Sequence, residues 1–196
     1  MERYYYEMKN LWINKGCYGY MKNRRYWAIF RTILFFSISI SLYVTGILTT
    51  GSNKNLLTIV AILGCLPGSK SAVNMIMFLR YSGCTKEVYD VVNNNSKHLY
   101  ALCDMVFTSY DKTFEIHHMG ITDKAVCAYT AKEKWDVAAC EKHLQNMLTQ
   151  NGLKDITVKV FKDLSKYKKR LEQLETLSDL GNTATDIKQL MFEISL

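Results

Sequence analysis

Proline occurs once in these 196 residues, no cysteine pair has CxxC spacing, and no acidic residue lies between positions 32 and 80. One proline beside 48% hydrophobic residues excludes a collagenous, low-complexity or disordered chain. The six cysteines, Cys17, Cys65, Cys84, Cys103, Cys127 and Cys140, are irregularly spaced. That excludes the framework of a secreted disulfide scaffold and the ligand spacing of a zinc site. The length suits one or two domains and not a large multidomain enzyme.

Lys and Arg number 25 against 18 Asp and Glu, giving a formal charge of +7 and a pI near 9.0. Taken whole, that balance invites a nucleic-acid partner. By region it does not: residues 1–31 carry +5, residues 32–80 carry +3, and residues 81–196 carry −1. The excess sits in the first 80 residues. A soluble segment of −1 is poorly suited to a phosphate backbone, so nucleic acid is not an expected partner.

Thr32–Thr50 is a 19-residue run without a charge, and Leu56–Leu79 is a 24-residue run with one. About 20 helical residues cross the ~30 Å hydrocarbon core, so both runs are long enough. The short polar linker Gly51–Asn55 makes them an antiparallel hairpin. A cleavable signal peptide fits badly, because the run is too long and begins too late. Tyr26, Trp27 and Tyr81 sit where interfacial aromatics belong, and the basic flanks put both termini in the cytoplasm. The expected organisation is a basic cytoplasmic arm (1–26), a transmembrane hairpin (27–81, spans about 30–50 and 56–79) and a cytosolic domain (82–196). The competing reading is a soluble protein with two buried core helices.

Within the second run, Pro67 and Gly68 predict a kink, after which Ser69 caps a helix resuming at Lys70. Lys70 lies nine residues before Leu79, about 14 Å along a straight helix and close to mid-bilayer. A central charge costs at least ~2.5–3.5 kcal/mol there, and the hairpin contains no carboxylate to offset it. Ser69, Lys70, Ser71 and Asn74 therefore form a candidate intramembrane polar site, to be held by a lipid phosphate, water, a second subunit or a carbonyl. The plainer reading is a snorkelling lysine beside a helix seam. Ser37, Ser41 and Thr45 on the first helix, and Ala61, Gly64, Cys65 and Gly68 on the second, suit close packing. The octet GCLPGSKS also nearly spells a phosphate-binding loop, with Ser69 in place of its second glycine. That reading needs a strand before it and a magnesium-binding Asp downstream, and the latter is missing.

The segment around LPGSKSAVNMIMFLR resembles a group of uncharacterised two-span membrane proteins of Gram-positive bacteria with an LP-x-SKS-x-VN-x-IMF-x-R pattern. The matching positions are Leu66, Pro67, Ser69, Lys70, Ser71, Val73, Asn74, Ile76, Met77, Phe78 and Arg80. The resemblance covers residues 30–85, with Gly68 where alanine is expected. It implies the membrane topology and nothing about mechanism.

The remaining residues predict a helix over Thr85–Cys103 and strands over Asp104–Ser109, Thr113–Met119 and Lys124–Ala131. A helix over Lys134–Leu148, a strand over Ile156–Phe161 and a helix capped by Asp163 follow, with a last element over Asp186–Leu196. The fold class is thus an α-helical transmembrane hairpin plus a cytosolic α+β domain of αβββαβα order. That order is also the core of the restriction-endonuclease-like fold. Its chemistry needs an acid on one strand and acid-x-Lys on the next, to hold magnesium and activate water. Asp104, Asp111, Glu115 and His117 are the catalytic candidates, and the third strand carries no acid. His117 and His118 should point to opposite faces of a regular strand, and so cannot share a metal without a bulge. Leu171, Leu174 and Leu177 read as core, and Cys127 and Cys140 as small apolar groups.

The leading expectation is a membrane-anchored interaction or scaffold protein acting as an oligomer. Its expected partners are membrane lipids (anionic ones included), further copies of itself and an unidentified protein, with neither cofactor nor metal. A membrane-tethered, metal-dependent hydrolase of nuclease type is the alternative from another class. A small oligomeric channel or transporter component built round Lys70 is the third.

Overall fold

The structure, a computed structural model, describes residues 13–52, 55–93, 99–177 and 180–196. The chain divides into two compact units, Met21–Ser82 and Gly83–Leu196, the latter joined by the segment that ends at Tyr20. Residues 13–20 of the basic arm are thereby built into the second unit.

Helices α1 (Tyr20–Thr50) and α2 (Leu56–Leu79) account for the first unit. The 31-residue α1 begins well before the uncharged run, because Lys22–Arg31 contains no helix breaker and continues the same turns. It ends at Gly51, whose φ of +64° lets its N–H reach the Ile47 carbonyl at 2.8 Å. Asn55 then caps α2 by accepting the Thr58 N–H at 2.7 Å. Both helices are long and apolar enough to cross a membrane, and only 17% of the most apolar window of each is buried. Their apolar surface faces outward, unlike that of a core helix.

Helix α2 does not break at Pro67. It runs unbroken as α-helix from Leu56 to Leu79, and Ser69 caps nothing: its hydroxyl donates to the Cys65 carbonyl at 2.8 Å. A proline inside an apolar helix removes a single ladder bond and leaves the turns on either side intact. GCLPGSKS is therefore wholly helical and cannot curl round a phosphate, which removes the phosphate-loop reading.

The second unit opens with α3 (Lys86–Asn93), followed by β1 (Tyr100–Thr108), β2 (Thr113–Ile121) and β3 (Ala125–Tyr129). It continues with α4 (Val137–Gln150), β4 (Thr157–Phe161), α5 (Leu164–Leu177) and α6 (Asn182–Ile194). Of the helix expected over Thr85–Cys103, Lys86–Asn93 is helical, whereas residues 100–103 are the start of β1. There Leu102 gains a place in the core and Tyr100 pairs with Ile121. Tertiary pairing overrides the local helical spacing.

The sheet has the order β1-β2-β3-β4, antiparallel except for the parallel β3–β4 pair, which α4 connects. Helices cover both faces. Cys140, Leu144 and Leu148 of α4 and Ala184, Ile187 and Met191 of α6 pack with Met105, Ile116 and Val158 on one. Val88 and Val92 of α3 and Tyr167, Leu171 and Leu174 of α5 pack with Ala125, Cys127 and Tyr129 on the other. Double cover explains why every residue of β3 and nearly every residue of β2 is buried. Asp163 caps α5 as expected, accepting the Ser165 N–H at 2.8 Å.

Helix α6 has no cap of its own, since Gly181 precedes it. Asp123, in the β2–β3 turn, caps it instead. Its carboxylate accepts the Gly181 N–H at 2.6 Å and the Ala184 N–H at 2.7 Å. Asp123→Ala is expected to remove about 1–2 kcal/mol of stability, a fall in Tm of roughly 4–8 °C by calorimetry. A Tm within 1 °C of the parent, on the order of error in such comparisons, would show the remote cap to be dispensable.

Candidate functional site

Two polar groupings stand out, one in each unit. In the α+β unit, the alternation of β1 and β2 slips by one residue at the same rung. Leu102, Met105 and Phe107 of β1 and Phe114, Ile116, Met119 and Ile121 of β2 all enter one core. A strict period of two cannot place both Leu102 and Met105, or both Ile116 and Met119, on that face. The ladder pairs Cys103 with His118 and Met105 with Ile116, and leaves out the intervening pair Asp104 and His117. Asp104 has a φ of +56°, a conformation that short polar side chains tolerate best among non-glycine residues. Because both strands slip together, their register is conserved.

The slip turns Cys103, Asp104, His117 and His118 toward the layer of α3 and α5. His117 and His118, expected on opposite faces, meet Tyr129 and Tyr167, which stack on each other in that layer. His118 Nδ1 lies 2.6 Å from Tyr167 Oη. His117 Nδ1 accepts the Ala131 N–H at 3.2 Å, so its proton is on Nε2, 3.8 Å from Glu115 Oε1. That Glu115 oxygen also accepts the Gly83 N–H at 2.8 Å, while its other oxygen lies 3.4 Å from Lys132 Nζ. Beside it, Asp104 Oδ1 accepts the Cys84 N–H at 2.5 Å. The two carboxylates thus hold consecutive backbone amides of the segment leading into α3.

Of the four catalytic candidates, Asp104, Glu115 and His117 converge and Asp111 does not. Asp111 lies exposed in the β1–β2 turn, about 13 Å or more along the hairpin from the Asp104 rung. The three that converge are 3%, 1% and 2% exposed, which leaves no approach for a substrate. His117 has no free basic nitrogen, since one accepts an amide and the other carries the proton. Among the described residues no set of three His, Cys, Asp or Glu side chains could hold a metal ion. Gly83, Cys84, Lys132, Tyr129 and Tyr167 complete the cluster and escaped the sequence reading. Each is far in sequence from its partner, and only the positive φ of Gly83 leaves a local trace.

Burial alone lowers the His118 pKa to about 3, and burial with Lys132 lowers that of His117 against the opposing pull of Glu115. Burial likewise pushes the Tyr167 hydroxyl well up, and the Cys140 thiol to about 12. A hydrogen bond from Cys84, followed by burial, raises the Cys103 thiol. His143 is half-exposed against Phe114, and His98 lies outside the described residues.

In the first unit the four proposed polar residues disperse. Ser71 is 3% exposed and faces α1, and Asn74 is half-buried. Ser69 and Lys70 are exposed, and Lys70 makes no hydrogen bond or ion pair with a described residue. The facing positions on α1 are Thr32, Ser39 and Gly46, seven residues apart, against Ser71, Gly64 and Leu57. A period of seven is that of a left-handed helix pair. Ser37, Ser41 and Thr45, expected in this seam, are exposed instead. At position 64 a Cβ would stand 2.7 Å from Ser39 Oγ, so a larger residue there would force that hydroxyl to turn away. Gly68 and Ala61 also lie in the seam, whereas Cys65 faces out.

No family model, no curated protein and no solved structure matches the chain. The functional reading therefore rests on the geometry above.

A histidine whose folded pKa lies below its ordinary 6.5 leaves the unfolded chain binding more protons at acid pH. Stability is then complete above pH 6.5 and declines as the pH falls toward 3. For His118 the loss by about pH 5 is about 2 kcal/mol. Urea midpoints at neutral pH and near pH 5 should show it, and His118→Asn, which keeps a polar atom for Tyr167, should remove most of that loss. An acid limb unchanged in the variant would assign the effect elsewhere.

Proposed function

We propose that the chain is a membrane-anchored interaction protein. In this reading α1 and α2 cross the bilayer as a hairpin, and the α+β unit is a cytosolic docking module assembled as a homo-oligomer. The observation that carries it is the closure of the polar cluster. Asp104 and Glu115 are committed to the Cys84 and Gly83 amides, and His117 to the Ala131 amide, all out of reach of solvent. Groups arranged in this way hold a chain in place; they do not bind and turn over a substrate.

The sheet order, with β2 antiparallel to its neighbours and β3 parallel to β4, is compatible with a restriction-endonuclease-like core. Its β3, AVCAY, offers no acid for a catalytic metal, so the likeness supports a shared scaffold and not its chemistry. Membrane insertion is supported by the outward apolar surface of both helices, with Ile33, Ile40, Leu48, Ile62 and Leu66 each at least 60% exposed. The basic flank of α1 favours the cytoplasmic side for its N-terminal end. An independent constraint points to an even number of crossings. Gly16 O accepts the Cys103 N–H at 2.7 Å, and Lys15 Nζ donates to the Phe192 and Ser195 carbonyls at 2.8 and 2.6 Å. A unit packed from chain on both sides of the hairpin cannot straddle a bilayer.

The test uses Tyr110→Cys, at a fully exposed turn position, with Cys17 and Cys65 replaced by serine. A membrane-impermeant maleimide should label it only after cells are permeabilised. Labelling in intact cells overturns the cytosolic placement. A magnesium-dependent phosphodiesterase activity of the purified chain that drops about a hundredfold in Glu115→Gln, a loss on the scale of a removed catalytic group, would replace interaction with catalysis. A monomer both in detergent and in nanodiscs would remove the oligomer.

A further inference from the structure

The helix register changes where Lys70 lies in a bilayer. Ser71 meets Thr32, Gly68 meets Phe36 and Gly64 meets Ser39, each step along α2 matched by one back along α1. Carried one residue from Ser71, that register sets Lys70 level with Ile33, the second residue of the uncharged run of α1. Arg31, one residue before Thr32, reaches across to Ser71 and donates to it from Nε at 3.2 Å. Lys70 is therefore at the edge of the apolar zone and not near its middle, which is level with Leu63 and Ile40. Two cations from two helices share one rung there.

The rung is built and not merely charged. Thr32 donates its hydroxyl proton to the Ala28 carbonyl at 2.7 Å, so the 2.9 Å contact between Thr32 and Ser71 is made by the Ser71 proton. Ser71 then accepts from Arg31, which fixes the guanidinium. Its terminal N–H groups bond no described residue and keep the fork that matches two oxygens of a phosphate. Charge complementarity names the occupant's sign: from residue 8 to residue 86 the chain has ten basic residues and no acid. The flanks of Lys70 name its other half. Leu66 and Val73, a turn to either side on the same face, are 68% and 66% exposed and would lie along an acyl chain.

We propose that Arg31 and Lys70 form one site for the phosphate of an acidic phospholipid, with its acyl chains along α2. The proposal rests on the membrane reading above, and its test separates the two failures. Spin labels are placed at Lys70→Cys and at Leu63→Cys in the full chain, with Cys17 and Cys65 replaced by serine, in bilayers of phosphatidylglycerol and phosphatidylcholine. Position 63 should be accessible to oxygen, and position 70 to a water-soluble nickel chelate. If both positions are aqueous the membrane reading fails. If both are equally deep, the depth assigned to Lys70 is wrong and the site with it.

Binding is read by native mass spectrometry of the full chain in detergent with added phosphatidylglycerol, phosphatidylcholine or inorganic phosphate. Retained phosphatidylglycerol is expected, about tenfold weaker in the Arg31→Gln/Lys70→Gln double variant, the order of loss for a charge-assisted bond. Lys70→Arg should keep it, and Lys134→Gln, which removes a cation from the other unit, should leave it unchanged. Equal retention of phosphatidylcholine overturns the charge requirement. Equal binding of inorganic phosphate overturns the lipid assignment, and equal loss in Lys134→Gln shows general charge attraction with no site.

Discussion

Glu115 and Asp104 each surrender a carboxylate oxygen to the backbone, one to the amide of Gly83 and the next to that of Cys84. Removing a carboxylate from water costs several kcal/mol, so such a group is tolerated only where it is paired, as Glu115 is with the Gly83 amide and with Lys132. Here that need organises a layer. It draws Asp104 into a left-handed conformation, which throws β1 out of phase; β2 slips in answer, and both histidines turn to the side of the tyrosines. The segment before α3 is pinned to the sheet as a result. The cluster is thus an anchor for the chain where it leaves α2, made from residue types that in an open cleft would suggest hydrolysis.

The first unit is governed by contact instead of charge. Its seam consists of small or hydroxylated residues seven apart on α1, facing glycine, serine and alanine on α2. Backbones approach closely at such positions, and the hydroxyls find partners without water. The Arg31–Ser71–Thr32–Ala28 relay extends that seam into the charged end of α1.

Much of this was written in local pattern. The two apolar runs, the three consecutive strands, the Asp163 cap and the apolar stripe of α5 could be read from spacing, since each depends on neighbours within a few residues. Leu177, the last of that stripe, has a side chain outside the described residues. Patterns failed where a distant partner decides. The face of His118 depends on the slip at the Asp104–His117 rung, and Ser37, Ser41 and Thr45 miss the seam because α2 faces Thr32, Ser39 and Gly46 instead. Pro67 sits inside an unbroken helix, because the apolar turns on either side continue the α-helical ladder past the one bond it cannot make. Residues 13–20 have no repeat or motif of their own, so their place beside β1 and α6 could be seen only once those elements were assembled.

That last placement gives the chain an order of events. Gly16 is made before the groups it touches, Leu102, Cys103 and Phe192, the last of them 176 positions on. At synthesis rates of about 5–20 residues per second, roughly ten seconds or more separate Gly16 from Phe192. Both apolar helices emerge within that interval, before α6 exists to receive Lys15. The unit that the two helices interrupt is thus still open when both have been made, and the clasp of Lys15 on the carbonyls of Phe192 and Ser195 closes only afterwards.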